Sequence, residues 1–132
     1  MIESILKNCH TIAVVGLSDR MDRPSYGVAK YMQSQGYTII PVNPNATEIL
    51  GEKCYASLLD VPHAIDMVNV FRRSEDVLPI AQQAVQIGAK CLWQQIGVMN
   101  EEANALAQSH GLLSVMDRCL KIEHTQLLGS LH

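Results

Sequence analysis

The sequence predicts an α/β fold in which helices cover both faces of a parallel β-sheet. Two observations carry this prediction. Short apolar runs typical of buried strands alternate with amphipathic runs of helical spacing, and Gly36 and Gly88 stand where two of the helical runs end. Parallel strands need crossover connections, and right-handed crossovers place helices on the faces of the sheet. The 132 residues suit one domain, which we expect to extend over residues 1–132.

Five short and largely apolar segments predict the strands of this sheet. The first, TIAVVGL at residues 11–17, is apolar along almost its whole length, which is typical of a strand buried on both faces. The second contains Pro41, which cannot donate to a sheet ladder, so we expect strand pairing to end near this residue. The predicted strands comprise residues 11–17, 37–42, 64–71, 90–95 and 112–116.

Helical spacing and helix end signals predict the connecting segments. Residues 25–35 place Val28 and Met32 on one side of a helix. The longest helix is expected at residues 74–87, where Ser74 suits the N-cap position. The other helical segments are expected at residues 2–9, at residues 56–61 as a short helix or turn, and at residues 101–109.

This alternation predicts a Rossmann-like three-layer sandwich, with five parallel strands in the order 3-2-1-4-5 and helices on both faces. In such sheets, ligands bind beyond the carboxyl ends of the strands, at the point where the strand order reverses. Ligand-binding residues are therefore expected in the segments that directly follow the strands.

The segment after the first strand has several features of a phosphate-binding turn. Gly16 allows the backbone to turn sharply, and Pro24 suits the first position of a helix. The amides near Ser25 would then face the crevice at the positive end of the helix dipole, and Arg23 adds a charge there. The second and third glycines of a dinucleotide-binding turn are missing. A plain loop with a capped helix is the alternative interpretation.

Residues after the second and third strands bear on the kind of ligand. An NAD site favours an acidic residue after the second strand, but Asn43 and Pro44 stand here, which counts against NAD. The Asn-Pro pair also favours a turn. After the third strand, Arg72 and Arg73 precede a predicted helix start, which indicates a second anion-binding site. The alternative for these arginines is a solvated surface pair.

The last two strands are followed by further candidates for the crevice. Gln95 ends the fourth predicted strand and Gly97 follows it, and both are expected to line the crevice. Arg118 and Cys119 follow the fifth strand. Arg118 is also compatible with a surface ion pair, and Cys119 with simple packing.

Composition excludes several classes of function. A net charge of −3 gives no general basic field for nucleic acid, and no apolar stretch approaches the length of a membrane helix. The four cysteines are dispersed and are expected to be reduced thiols in the cytoplasm, and no residues have metal-ligand spacing. Walker A and nucleophile-elbow motifs are missing, so ATP hydrolysis and serine hydrolase chemistry are not expected.

Several motifs occur in a fixed order: GLSDRMDRPSYGVAKYMQSQGYTIIPVNP, ILGEKCYASLLDVP, IDMVNVFRR, WQQIGVMNEEA and VMDRCLKIEH. With this set, residues 2–124 resemble the small bacterial and archaeal CoA-binding protein family. That family is similar to the CoA-binding domain of the succinyl-CoA synthetase alpha subunit and of ADP-forming acyl-CoA synthetases. Gln94 is a departure, since the family usually has an apolar residue beside Trp93.

The resemblance implies that the crevice binds coenzyme A or an acyl-CoA. It implies binding and not ligase catalysis, because the synthetases use further domains for that chemistry. The glycine turn and helix start would meet the pyrophosphate, the arginines would neutralise phosphate charge, and the remaining residues would border the adenosine and the pantetheine arm. The residues implied are Gly16, Leu17, Ser18, Arg23, Pro24, Ser25, Asn43, Pro44, Arg72, Arg73, Gln95, Gly97, Arg118 and Cys119.

Two other functions stay open from the sequence. One is an NAD(P)-binding oxidoreductase-type domain on the same fold. The other is a CoA-linked thiol redox protein in which Cys119 forms a mixed disulfide with CoA. The sequence also leaves open whether the chain acts as a homo-oligomer or with a protein partner.

Overall fold

A five-stranded parallel sheet forms the centre of the protein. The computed structural model describes residues 1–129, so residues 130–132 of the predicted domain lie outside the described part. The strands are Thr11–Val15 (β1), Thr38–Val42 (β2), Glu48–Ile49 (β3), Glu52–Lys53 (β4), Met67–Val70 (β5), Cys91–Gln94 (β6) and Leu113–Val115 (β7). The helices are Ile2–Asn8 (α1), Pro24–Ser34 (α2), Val77–Gln86 (α3), Glu101–Ser109 (α4) and Leu120–Leu127 (α5), with short 3-10 turns at Leu58–Asp60 and Ser74–Asp76.

Helices pack on both faces of the sheet, which confirms the predicted Rossmann-like α/β class. Neighbouring residues of a strand point to opposite faces, so Val14 and Val15 belong to two different clusters of buried side chains. The cluster of Val14 includes residues of α1, α2 and α5, whereas that of Val15 includes residues of α3 and α4. Burial on both faces explains why the strand segments are almost continuously apolar.

The predicted strand order 3-2-1-4-5 is wrong. The sheet has the order β2-β1-β5-β6-β7, which is 2-1-3-4-5 when its strands are counted along the chain. The outer edge of β2 is already covered, because the Tyr55 amide donates to the Pro41 carbonyl and the Asn43 amide donates to the Tyr55 carbonyl. The third strand of the sheet therefore lies on the other side of β1. Pro41 was the available signal, since proline in a sheet is confined largely to edge strands.

The strand order reverses between β1 and β5. From β1 the chain continues into α2 on one face, and from β5 it continues into α3 on the other face. These two segments leave a gap above the carboxyl ends of β1 and β5, where sheets of this order bind their ligands.

Three local features differ from the sequence-based expectations. The small antiparallel pair β3–β4 and the helix α5 were not predicted. In α5 only Leu120 and His124 are buried, so its apolar pattern is too sparse to predict a helix. Ser74 does not cap the long helix as expected. It begins a 3-10 turn, Asp76 precedes α3, and the Ser74 hydroxyl accepts a hydrogen bond from the Met99 amide instead.

Within residues 1–129, each helix is too short or too polar to cross a lipid bilayer. The same residues contain no cluster of three or more histidine, cysteine or acidic side chains suited to a metal ion.

Candidate ligand-binding site

An open crevice of about 970 Å³ lies at the reversal of strand order. This volume is at the upper end of the range of about 300–1,000 Å³ that is usual for small-molecule sites. Its walls come from the segments that follow β1, β5 and β6, from the start of α2, and from the residue before α5. It is lined by Gly16, Ser18, Arg20, Arg23, Pro24, Ser25, Val28, Phe71, Arg72, Arg73, Asp76, Gln95, Ile96, Gly97, Val98 and Cys119.

Gly16 brings the segments after β1 and β5 into close contact at the floor of the crevice. Its φ of +89° lies in the region that favours glycine, and its amide donates to the Val42 carbonyl. A Cβ atom at this position would overlap the carbonyl oxygen of Phe71. The same Cβ would lie 3.3 Å from Nη1 of Arg72, so this guanidinium lies directly above the Gly16 backbone.

The loop between β1 and α2 is held in one shape by its own hydrogen bonds. The Ser18 amide donates to Oγ of the buried Ser25 at 3.0 Å, and the Arg20 amide donates to Oγ of Ser18 at 3.1 Å. A loop fixed in this way loses little conformational entropy when a ligand binds. The loop is therefore pre-organised.

The start of α2 offers fewer free amides than expected. The amides of Tyr26 and Gly27 both donate to the Arg23 carbonyl, at 3.1 and 3.4 Å. Pro24 has no N–H, so the Ser25 amide is the one in this first turn without an acceptor in the described part of the chain. The positive end of the helix dipole still faces the crevice.

The arginines around the crevice differ in the charges that surround them. Arg73 pairs with Glu75 at 3.6 Å and with Asp76 at 3.3 Å, and its side chain is 79% exposed. Arg23 and Arg72 have no carboxylate partner among residues 1–129. These two cations are therefore the ones available to an anionic ligand.

Gln95 forms part of the inner wall of the crevice and is almost fully buried. Its Oε1 accepts hydrogen bonds from Nδ2 of Asn69 at 3.2 Å and from the Leu120 amide at 3.3 Å. These donors fix the orientation of the carboxamide. Its Nε2 has no acceptor within the described residues and is available to a carbonyl group of a ligand.

Cys119 differs from the other three cysteines. It is half-buried and lines the crevice directly before α5. Cys9, Cys54 and Cys91 are buried, and burial raises the pKa of each of these thiols. A high pKa keeps a thiol protonated and unreactive. Cys119 is therefore the cysteine placed to meet a ligand.

The profile of the CoA-binding domain family matches residues 10–125 of the chain. The chain belongs to the CoA-binding domain family. It is 47% identical over 123 residues to the uncharacterized protein YneT of Bacillus subtilis (strain 168), which covers 93% of this chain and 91% of YneT. Its fold matches a solved hypothetical protein from Pyrococcus horikoshii OT3 with a TM-score of 0.94 and 41% identity, over 97% of this chain and 90% of that chain.

A larger relative matches the chain over a small part of its own length. The chain is 34% identical over 82 residues to acetate–CoA ligase [ADP-forming] II of Archaeoglobus fulgidus. The match covers 61% of this chain and 12% of the ligase. This likeness confirms the predicted resemblance to the CoA-binding region of ADP-forming synthetases.

The structure brings most of the predicted site residues of this CoA-binding domain together. Four lie outside the crevice wall. Leu17 is fully buried in the core, and the Arg118 side chain is exposed while its carbonyl accepts a hydrogen bond from Nε1 of Trp93. Asn43 and Pro44 follow β2, on the far side of β1 from the reversal. The residues that do line the crevice are Gly16, Ser18, Arg23, Pro24, Ser25, Arg72, Arg73, Gln95, Gly97 and Cys119.

Asn43 has a structural role that its turn-like sequence context already indicated. Its Nδ2 donates to the Leu17 carbonyl at 2.9 Å, and its Oδ1 accepts the Asn45 amide at 2.8 Å. These bonds join the loop after β1 to the turn after β2. Asn43 thus supports the shape of the crevice floor from outside it.

Six lining residues were not among the predicted site residues, although Arg20, Ile96 and Val98 lie in segments after strands, where ligand-binding residues were expected. Val28 lies one helical turn after Ser25, so helical spacing from the predicted helix start was a usable signal. Asp76 lies in the 3-10 turn that precedes α3, and the absence of a regular helix there hid its position. The residues missed are Arg20, Val28, Phe71, Asp76, Ile96 and Val98.

Proposed function

We propose that this chain binds coenzyme A or an acyl-CoA in the crevice and has no ligase activity by itself. One observation carries the proposal: in a member of the CoA-binding domain family, Arg23 and Arg72 face the gap where the strand order reverses, and neither has a carboxylate partner among residues 1–129. Charge-assisted hydrogen bonds of this kind each contribute about 1.5–3 kcal/mol.

The arrangement of the walls supports an orientation for the ligand. The diphosphate lies over Gly16, where the missing side chain permits close approach, next to the free Ser25 amide and the Arg72 guanidinium. The pantetheine arm runs along the loop after β6, where Nε2 of Gln95 meets one of its carbonyl groups. The thiol or thioester end then lies towards Cys119.

The likeness to the Archaeoglobus fulgidus ligase supports a binding role. Only 12% of that ligase is matched, so its ligase activity as a whole does not transfer to this chain. We propose that residues 1–132 act as one binding unit that carries or senses CoA, or supplies it to a partner.

Isothermal titration calorimetry with CoA, dephospho-CoA, NAD and NADP tests the proposal. CoA is expected to bind most tightly, with a dissociation constant in the micromolar range, which corresponds to about −8 kcal/mol. NAD binding as tight as CoA binding would reject the proposal in favour of a nicotinamide site.

A pair of arginine variants tests the location of the site. Arg72→Ala removes a cation from the crevice and is expected to weaken CoA binding about tenfold or more. Arg118→Ala removes the same type of side chain from an exposed position outside the crevice and serves as the matched control. Equal losses in the two variants would show that general charge attraction, and not this crevice, holds CoA.

A further inference from the structure

Two residues outside the crevice lining, Gln94 and Asn100, hold the loop that forms its β6 wall. Gln94 is the last residue of β6 and is completely buried. Its Oε1 accepts the Asn100 amide at 2.7 Å, and its Nε2 donates to the Asn100 carbonyl at 3.1 Å. This pair of hydrogen bonds joins the two ends of the loop 95–99, of which residues 95–98 line the crevice.

The same loop is tied to the wall that carries the arginines. Nδ2 of Asn100 donates to the Ser74 carbonyl at 2.8 Å, and the Met99 amide donates to Oγ of Ser74 at 2.9 Å. Ser74 directly follows Arg72 and Arg73 in the chain. The path of hydrogen bonds from Gln94 through Asn100 to Ser74 therefore connects the two sides of the crevice.

The polar groups of Ser74 and Gln94 form this connection although each residue has a more common structural role. A serine hydroxyl before a helix commonly caps it, yet no side chain among residues 1–129 caps the start of α3. Gln94 places a polar carboxamide at a completely buried strand position, where apolar side chains surround most residues of the sheet. Buried amides whose partners are all present fix one arrangement of the groups around them. The hydrogen bonds of Ser74 and Gln94 therefore favour a fixed distance between the two walls of the crevice.

We propose that Gln94 and Asn100 are positioning residues for the ligand, which act by holding Arg72 at a set distance from the loop 95–99. This inference rests on the proposed function, because CoA is the ligand whose phosphate and pantetheine groups would touch the two walls. Neither residue is expected to contact CoA itself. The Asn100 side chain reaches the wall of Arg72 through the Ser74 carbonyl, so its effect on affinity is expected to depend on Arg72.

A double-mutant cycle measures that dependence. Asn100→Ser keeps a side-chain oxygen that can cap α4, as Oδ1 of Asn100 does for the Ala103 amide at 2.8 Å, but it removes the donor to Ser74. Arg72→Lys keeps the charge and leaves binding measurable while removing the planar fork. Calorimetry with CoA is performed on the wild type, on each single variant and on the double variant.

Asn100→Ser is expected to weaken CoA binding about fivefold in the wild-type background and less than about twofold in the Arg72→Lys background. Equal losses in the two backgrounds, or a lower melting temperature with unchanged affinity, would overturn the proposal, because both indicate a merely structural role. A wild type that does not bind CoA would instead refute the proposed function. The wild-type titration thus separates the two failures.

A second pair of variants guards against general destabilisation. Gln94→Met has similar length and removes both hydrogen bonds to Asn100, and it is expected to weaken CoA binding at least as much as Asn100→Ser. Gln33→Met removes a side-chain bond to the Leu50 carbonyl, which lies away from the crevice, and is expected to leave the affinity unchanged. A similar loss of affinity in both variants would contradict the positioning role.

Discussion

Replacing Gly16 by alanine tests the geometry of the crevice floor, because the added Cβ atom has no space there. A residue other than glycine at a φ of +89° costs about 1–2 kcal/mol. The added Cβ overlaps the Phe71 carbonyl oxygen, a backbone atom that cannot rotate away, so the two loops must separate. Overpacking of this kind costs about 1–3 kcal/mol. The sum of about 2–5 kcal/mol is a large part of the roughly 5–15 kcal/mol that stabilises a typical domain.

Urea denaturation and CoA calorimetry on the Gly16→Ala variant measure the two consequences. We expect a folded but less stable protein that binds CoA at least about tenfold more weakly, because the Arg72 guanidinium lies above this backbone position. Gly27→Ala is the matched control. Gly27 lies exposed within α2, and no atom of the described residues lies within 4 Å of its Cβ position, so this variant should gain about 0.5–1 kcal/mol of stability. Wild-type stability and affinity in Gly16→Ala would show that the crevice floor does not require glycine at this position.

Three further predictions concern an ion pair, a thiol and a tertiary hydrogen bond. Burial opposes ionisation of Asp66, but two backbone amides and Lys90 outweigh it and lower the pKa of this carboxyl, so Asp66→Asn should reduce stability at pH 7. Cys119 should react with an alkylating reagent before the other cysteines, and CoA should slow that reaction. Tyr31→Phe removes a 2.8 Å hydrogen bond to Nδ1 of His124 and should lower the unfolding free energy by about 0.5–1.5 kcal/mol without changing CoA affinity.

The measurements for these predictions are direct. A lowered pKa in the folded state gives stability that is present above the unfolded pKa of Asp66, about 3.9, and is lost as the pH falls through the folded value. Urea curves of the wild type and Asp66→Asn should therefore converge at acidic pH, and a constant difference would contradict this account. Peptide mass spectrometry identifies the labelled cysteine. Equal labelling of Cys91 and Cys119 would contradict the prediction that Cys119 is the accessible thiol. Wild-type stability of the Tyr31→Phe variant would show that the hydrogen bond between Tyr31 and His124 does not stabilise the fold.

The sheet and its helices were largely predictable because burial leaves a direct pattern in the sequence. Thr11–Val15 and Cys91–Gln94 lie on a sheet with both faces covered, so their apolar character marks them as strands. Strand order was not predictable in this way, since alternation along the chain does not determine which edge of β1 receives the next strand. Pro41 carried that information but was interpreted only as the end of pairing.

The positions of the crevice residues were predicted better than their ion pairs and hydrogen bonds. Placement after a strand was enough to identify Gly16, Arg72 and Gln95 as wall residues. It was not enough to show that Arg73 is paired with two acidic side chains, because pairing depends on side-chain distances. The role of Gln94 was also hidden. Its partner Asn100 lies six residues away, and the sequence does not show which backbone groups a buried carboxamide contacts.

We propose that CoA binds where the strand order reverses, between the loops after β1 and β5. Backbone amide chemical shifts of the ¹⁵N-labelled protein, followed during a titration with CoA, test this location directly. We expect the largest changes in residues 16–28, 71–76 and 95–98 and at Cys119. Changes centred instead on the hollow lined by Thr38, Lys53 and His63, at a different place on the sheet, would contradict it.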